Sequence, residues 1–347
     1  MSRPAVFRVW AALILMLLFQ QFPASAAPPA DNGAVVLLYH RFGEDSLPST
    51  NVRLEQFEAQ LAELAAGQYQ VMALPDILAA LAEDRPLPER TVGISIDDAF
   101  LSVYEEAWPR LRAAGFPFTL FVATEPLDRR LPNYMSWDQL REMQADDLVT
   151  LGGHSVTHGH MVEQQTIQNI QEIESANLRF RDELGRQPAL FAYPFGEYDL
   201  TLRELVVASG FSAAFGQQSG AIARTSDRFA LPRFPINEAY GGLERFRLIA
   251  NALPLPVEQM VPADPVLGLE DNPPAFGFTV LSEIGNLDRL ACYYQGDPLV
   301  WNRLVGRRIE VQVTHALPPG RSRINCTLPG PNGRWRWLGR QFYVPED

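Results

Sequence analysis

Between Val35 and about Asn251, short runs of consecutive apolar residues alternate with longer stretches whose apolar positions recur every three or four residues. The first pattern fits strands buried on both faces, and the second fits amphipathic helices. Strands are expected at Val35–Tyr39, Tyr69–Met72, Val92–Ile96, Phe118–Val122, Leu148–Leu151, Leu190–Tyr193 and Ala213–Phe215. Helices are expected at Leu54–Ala66, Asp76–Ala82, Val103–Ala114, Ser136–Gln144, Glu163–Leu184, Leu200–Ser209 and Leu243–Asn251. This order predicts an α/β domain with parallel strands. About seven strands, each followed by a helix, suit a distorted (β/α) barrel better than a doubly wound sheet, and no glycine-rich dinucleotide fingerprint follows any strand.

The pattern breaks after residue 252. Pro254, Pro256, Pro262, Pro265, Pro273 and Pro274 interrupt any helix, so residues 253–274 read as a linker. Beyond it, Phe276–Leu281, Arg289–Tyr294, Arg308–Thr314, Ser322–Thr327 and Gln341–Val344 are β-like runs separated by turn residues, which predicts a small antiparallel β domain over 275–347. At the other end, Arg3 and Arg8 precede an apolar stretch from Val9 to Phe19, followed by Ala24-Ser25-Ala26. That is the layout of a signal peptide over residues 1–26, with a catalytic region over 27–252 and an exported, periplasmic or extracellular protein. A retained anchor is the alternative, but the apolar core falls short of the roughly 20 residues a spanning helix needs. No later segment is apolar enough to span a bilayer.

The formal net charge is −12, and removing Arg3 and Arg8 with the leader makes the mature chain more acidic still. Nucleic acid is therefore a poor partner, since its binding rests on Lys and Arg at phosphates. The two cysteines, Cys292 and Cys326, both fall in the C-terminal region. In an exported protein they are expected to form a disulfide, contributing roughly 3 to 4.5 kcal/mol. Neither lies near the residues considered next, so a thiolate ligand or nucleophile is not expected.

Three segments carry chemistry, each just after a predicted strand: Tyr39-His40, Asp97-Asp98, and His154 with His158 and His160. Active-site residues of barrels sit at such strand ends. Taken alone, the aspartate pair reads equally as a turn or helix cap. His154 and His158, four residues apart, fall on one side of a helical turn or tight loop. With Asp98 they make a three-ligand site that leaves a coordination position for water. Neighbours along an extended segment point in opposite directions, so Asp97 remains free to take a proton from that water. One divalent ion is implied, zinc by default, with cobalt or nickel also compatible with an O/N2 donor set. Tyr134 and Trp137 either stack on a sugar ring or cap the helix that follows. His160 reads as a neighbour of the site and not as a fourth ligand.

These residues resemble the polysaccharide deacetylases of carbohydrate esterase family 4. Ser95-Ile96-Asp97-Asp98 matches the family's first motif, in which the first aspartate is the base and the second a ligand. His154-Ser155-Val156-Thr157-His158 matches the second, with both histidines as ligands. Ala192-Tyr193-Pro194-Phe195-Gly196 resembles the third, and there the resemblance places Tyr193 at the substrate and the Phe195 N–H as an oxyanion donor. The motif's arginine is missing, and Arg233 in Leu231-Pro232-Arg233-Phe234-Pro235 is the candidate to supply its charge. No histidine occurs between His160 and His315, so the usual late histidine motif is absent. The poly-N-acetylglucosamine deacetylase branch instead begins with a Tyr-His segment, and on that resemblance His40 is the general acid.

The resemblance covers roughly residues 34 to 250 and implies an exported, metal-dependent deacetylase of N-acetylated sugars in a polysaccharide or envelope glycan. O-deacetylation of a polysaccharide ester is the alternative within the family. A non-catalytic glycan-binding or assembly protein is suggested by the missing arginine but opposed by the intact Asp97. A two-histidine, one-carboxylate iron oxygenase has suitable ligands but sits poorly with export. Trp301, Trp335, Trp337, Tyr293 and Tyr294 of the C-terminal region either form a sugar-stacking face or fill a small core, the latter being favoured.

Overall fold

The computed structural model describes Met1 and residues 31–281, 283–303 and 306–346. The expected signal peptide lies outside the described residues apart from Met1, and no described helix is long and apolar enough to cross a membrane.

Seven strands form the continuous path of the nine-stranded main sheet, with Gln70–Val71 and Phe234–Pro235 added beside it: β1 (Gly33–Tyr39), β2 (Thr91–Asp97), β3 (Phe118–Val122), β4 (Val149–Gly153), β5 (Leu190–Ala192), β6 (Ala213–Phe215) and β7 (Ala221–Ala223). Their spatial order is β7-β1-β2-β3-β4-β5-β6. All pairs are parallel except β7 against β1. Side-chain alternation along β1 divides two cores: Val35, Leu37 and Tyr39 pack outward against helices, whereas Ala34 and Val36 join Phe121, Ala192 and Phe215 inside. The helix Leu74–Ala82 packs Leu74, Ile77, Leu78 and Leu81 into that inner cluster.

The two edges of the curled sheet are joined by one extended segment. Leu231 bridges to Phe215 on β6, and Phe234–Pro235 pairs in parallel with Leu37 and Leu38 of β1. The fold is thus an α/β distorted barrel, as the periodicity predicts. Registers such as Asp97 with Phe121, Val122 with Gly153 and Ala192 with Phe215 bring the carboxyl ends of the parallel strands to one rim.

The predicted elements recur with small shifts at their ends. The helix expected over Val103–Ala114 begins as a π-helical turn, Val103–Ala107, before the α-helix Trp108–Ala114. A short helix Thr124–Asp128 and the antiparallel β7 have no counterpart in the periodicity analysis, because runs of three to five residues are too short to show a period.

The proline-rich stretch 253–274 departs from the linker reading. Leu253–Pro254 and Val257–Val261 are strands within the C-terminal sheets; the prolines fall at or between strand ends, where no ladder donor is lost. A long hairpin dominates these sheets: β8 (Gly320–Pro329) against β9 (Trp335–Val344), paired from Gly320 with Val344 to Pro329 with Trp335. Cys292 and Cys326 stand opposite one another on adjacent strands and form the disulfide, within a separate apolar core.

β9 also docks on the barrel. Leu338 bridges to Gly220, and Trp337 meets Phe234 edge to face with centroids 5.3 Å apart. Gly339 lies so close that an added Cβ would stand 2.2 Å from Ser219 O. Gly339→Ala should therefore destabilise the protein by about 1–3 kcal/mol, read as a lower urea midpoint.

Candidate active site

Four chain segments converge at the barrel rim. β2 ends at Asp97, and Asp98 and Ala99 follow with φ of 79° and 52°. The two carboxylates therefore diverge through a left-handed turn, not through the strand alternation inferred from sequence. The turn is held by Asp98 N donating to Phe121 O at 3.0 Å and Met135 N to Ala99 O at 3.0 Å.

After β4, His154 to His158 form a tight loop with Ser155 and His158 both left-handed, at φ 66° and 56°. Glu172, on the helix Thr166–Leu184, fastens this loop. Its Oε2 accepts from the backbone N–H of Val156 and Thr157, both at 2.9 Å, and its Oε1 accepts from the Thr157 hydroxyl at 2.9 Å. Sequence reasoning missed Glu172, since a glutamate inside a helix shows no sign of its distant partner.

Asp98, His154 and His158 each offer one ligand atom, all within 4.8 Å of one another. Asp98 Oδ1 lies 3.5 Å from His154 Nε2 and 3.3 Å from His158 Nε2. Such separations suit the edges of a tetrahedron with bonds of about 2.0–2.2 Å. His154 Nε2 is buried without a hydrogen-bond partner, a state that native interiors seldom leave unexplained. Its Nδ1–H donates to Ala192 O at 2.7 Å, which fixes the tautomer that points the Nε2 lone pair inward. These residues fit a divalent cation.

The protonation states agree with that fit. Burial holds His154 down at about 3, against the pull of the Asp97 charge, and burial also lowers His158 and His40. All three imidazoles are neutral at pH 7, the form that ligates. Burial pushes Asp98 up to about 6, with His40 opposing and Asp97 adding to the shift.

Asp97 is fully buried beside this triad, its Oδ2 3.9 Å from His154 Nε2. Arg233, also fully buried, grips it from inside the barrel: Nη1 donates to Oδ1 at 2.7 Å and Nη2 to Oδ2 at 2.9 Å. Arg233 Nε donates to Gly216 O at 2.9 Å, and the guanidinium carbon lies 5.4 Å from the Phe121 ring centre and 5.9 Å from that of Phe215. Burial alone would raise Asp97, but Arg233, with His154 and His40, holds its carboxyl below the ordinary value. The charge missing from the third motif is therefore supplied from the segment that joins the barrel edges.

The structure also places the remaining candidates. His40 is half-buried and feels the charges of Asp97, Asp98, Arg233 and His158, so it belongs to the same cluster. Phe195 lies beside His158, ring centroids 4.5 Å apart, with φ 57° in a turn whose Gly196 would place an added Cβ 2.4 Å from Gln217 N. Tyr134 stays near the rim, half-buried against Phe100 at 4.8 Å.

Two aromatic candidates do not face a ligand. Tyr193 is fully buried, stacked on Tyr198, with its hydroxyl donating to Phe229 O at 3.0 Å. Trp137 lies in the core against Phe180, its indole N–H donating to Asp128 Oδ1 at 2.8 Å. Both rings are buried, that of Trp137 with the Arg179 guanidinium 5.5 Å from its centre, and both polar tips have an internal partner, so neither offers a sugar-stacking face. Of the C-terminal aromatics, Trp301 packs on the second core and donates to Leu290 O, Trp337 sits at the barrel seam, and Trp335 is exposed.

Residues 84–214 match the family profile described as polysaccharide deacetylase. The chain carries a polysaccharide deacetylase domain of carbohydrate esterase family 4. It is 23% identical over 207 residues to the Bacillus subtilis protein YxkH, covering 60% of this chain and 72% of that protein. It is 22% identical over 276 residues to the poly-beta-1,6-N-acetyl-D-glucosamine N-deacetylase of Escherichia coli K12, covering 64% of this chain but only 41% of the relative. Among solved structures, IcaB from Ammonifex degensii superposes with a TM-score of 0.56 at 26% identity, covering 63% of this chain and 97% of that one. The Streptococcus pyogenes deacetylase PplD, solved with acetate, gives a TM-score of 0.58 at 18% identity, covering 63% and 98%, and shares the fold.

Two outcomes follow for this site. Arg233→Met leaves a buried carboxylate unpaired and should destabilise the fold by about 3–5 kcal/mol, measured by chemical denaturation. Glu172→Gln should weaken zinc binding about 10- to 100-fold by loosening the histidine loop, measured by competition with a chromogenic chelator.

Proposed function

We propose that this chain is an exported, metal-dependent N-deacetylase that hydrolyses acetamide groups of N-acetylated sugars in a polysaccharide or envelope glycan. The observation that carries the reading is Asp97, charged, held by Arg233 and placed beside a three-ligand pocket. A binding relic has no use for such a base, and Arg233 removes the reason for suspecting one. The name of the Escherichia coli relative supports an amide over an ester, and the leader-like residues 1–26 support export.

Asp98, His154 and His158 would hold the ion, with zinc favoured by the donor set. When bound, it would polarise the acetamide carbonyl and make water acidic enough to deprotonate near neutral pH. Asp97 takes a proton from the attacking water as its oxygen adds to the carbonyl carbon. The bidentate pair keeps the carboxylate ionised and oriented, and each oxygen retains a lone pair for that proton. The Phe195 N–H is the donor for the developing oxyanion. The proton that Asp97 takes from water is passed to the leaving nitrogen as the C–N bond breaks, with neutral His40 as the group that accepts it and hands it on, so the products are acetate and a free amino sugar. Tyr134 forms part of the adjacent wall.

Acetate release from N-acetylglucosamine oligomers should require added Zn²⁺ or Co²⁺ and should fall at least about 100-fold in Asp97→Asn. Release from acetylated xylan instead of the amide substrate would replace this reading by the esterase one. The pH profile adds a further check. Asp97 is held below the ordinary carboxylate value, so the base stays ionised as pH falls until its lowered value is reached. Arg233→Met removes the lowering influence and leaves burial. The acidic limb of kcat/KM should therefore move to higher pH.

A further inference from the structure

The face of the β8–β9 hairpin turned towards the barrel carries Arg321, Arg323, Gln341 and Tyr343. Arg321 is paired with Tyr343 and Arg323 with Gln341 across the two strands. Their neighbours Ser322, Ile324 and Phe342 are buried on the opposite side of the hairpin. Arg321, Gln341 and Tyr343 reach Glu197, Phe195 and Glu163 near the His154–His158 loop, and Arg323 connects to them through Gln341.

Two chains of contacts end on Phe195. In the first, Arg321 Nε lies 3.3 Å from Glu197 Oε1, and Glu197 Oε2 meets His160 Nδ1 at 2.8 Å. The His160 ring stacks on Phe195 with centroids 4.2 Å apart and planes 9° apart, and Arg321 itself stands 5.2 Å from the Phe195 ring centre. In the second, Arg323 Nε donates to Gln341 Oε1 at 2.8 Å, which turns the Gln341 amide so that Nε2 donates to Phe195 O at 3.2 Å. Tyr343 donates to Glu163, just beyond the histidine loop.

Phe195 needs such support. A non-glycine residue at φ 57° pays a steric penalty and persists only where its surroundings impose it. Its ring is gripped through His160, and its carbonyl is tied by Gln341. Glu197 is a buried carboxylate whose two partners come from different parts of the chain, His160 from the histidine loop and Arg321 from the hairpin.

We propose that the C-terminal hairpin is a working part of the active site, with Arg321 and Gln341 as positioning residues that hold Phe195 in its left-handed conformation beside His158. The catalytic consequence rests on the deacetylase reading above, whereas the structural one does not.

Arg321→Ala, Arg321→Lys and Gln341→Ala test this in the full-length mature chain. Hydrogen–deuterium exchange should rise about tenfold over residues 193–198 in Arg321→Ala and Gln341→Ala, with Arg321→Lys nearer the wild type. On N-acetylglucosamine oligomers, kcat should fall about tenfold or more while KM changes less than about threefold, and the affinity for Zn²⁺ should stay within about twofold of the wild type. Unchanged exchange over 193–198 in both alanine variants would overturn the proposal. So would exchange that rises uniformly across the chain, which would make the hairpin a general stabiliser. If the wild type releases no acetate, the deacetylase reading falls, while the exchange data still decide whether the hairpin holds Phe195.

Discussion

The buried pair of Arg233 and Asp97 is the constraint around which the barrel is arranged. Two full charges in an apolar interior are tolerated only with near-complete hydrogen bonding. The fold supplies it: a bidentate contact to the carboxylate, Gly216 O for the remaining Nε, and the faces of Phe121 and Phe215 near the guanidinium. Arg233 lies on the segment that bridges to β6 and pairs with β1, so the interaction that keeps Asp97 charged sits where the two ends of the sheet meet.

A second consequence is strain at the rim. Asp98, Ala99, Ser155, His158 and Phe195 all have positive φ, and none is glycine. Five such residues around one cluster are not needed to connect strands. They are needed to turn short side chains towards a common point, and each is held by contacts from elsewhere: Phe121 O and Met135 N for the aspartate turn, Glu172 for the histidine loop, the hairpin for Phe195. Local conformational penalties of this kind gather where function requires a geometry that the chain alone would not adopt.

The legibility of the site follows from sequence distance. Asp97, Asp98, His154 and His158 were readable because short motifs at strand ends carry their own spacing, and the strands themselves were readable from continuous apolar runs. Arg233 was marked only as a replacement for a missing charge, since nothing in Leu-Pro-Arg-Phe-Pro says that this arginine points inward. Tyr193, within the third motif, and Trp137, at the start of its helix, look like binding residues until their burial is known. The 253–274 stretch was misread because proline density signals an end to helices, which is equally true of a linker and of short strands with prolines at their ends.

Arg321 and Gln341 had no sequence signal at all, and that bears on how the C-terminal sheets are understood. A small disulfide-linked β unit after an enzyme invites the idea of a separable glycan-binding module. Such a module would need its own binding face and little contact with the catalytic part. Here the aromatics are divided among an internal core, a seam and the solvent, while the polar face of the longest hairpin is spent on the barrel. Gly339 packs directly on Ser219, a backbone contact between the two parts. The contacts therefore run across the two parts of the chain: the barrel carries Asp97, Asp98, His154 and His158, and the hairpin touches the turn at Phe195.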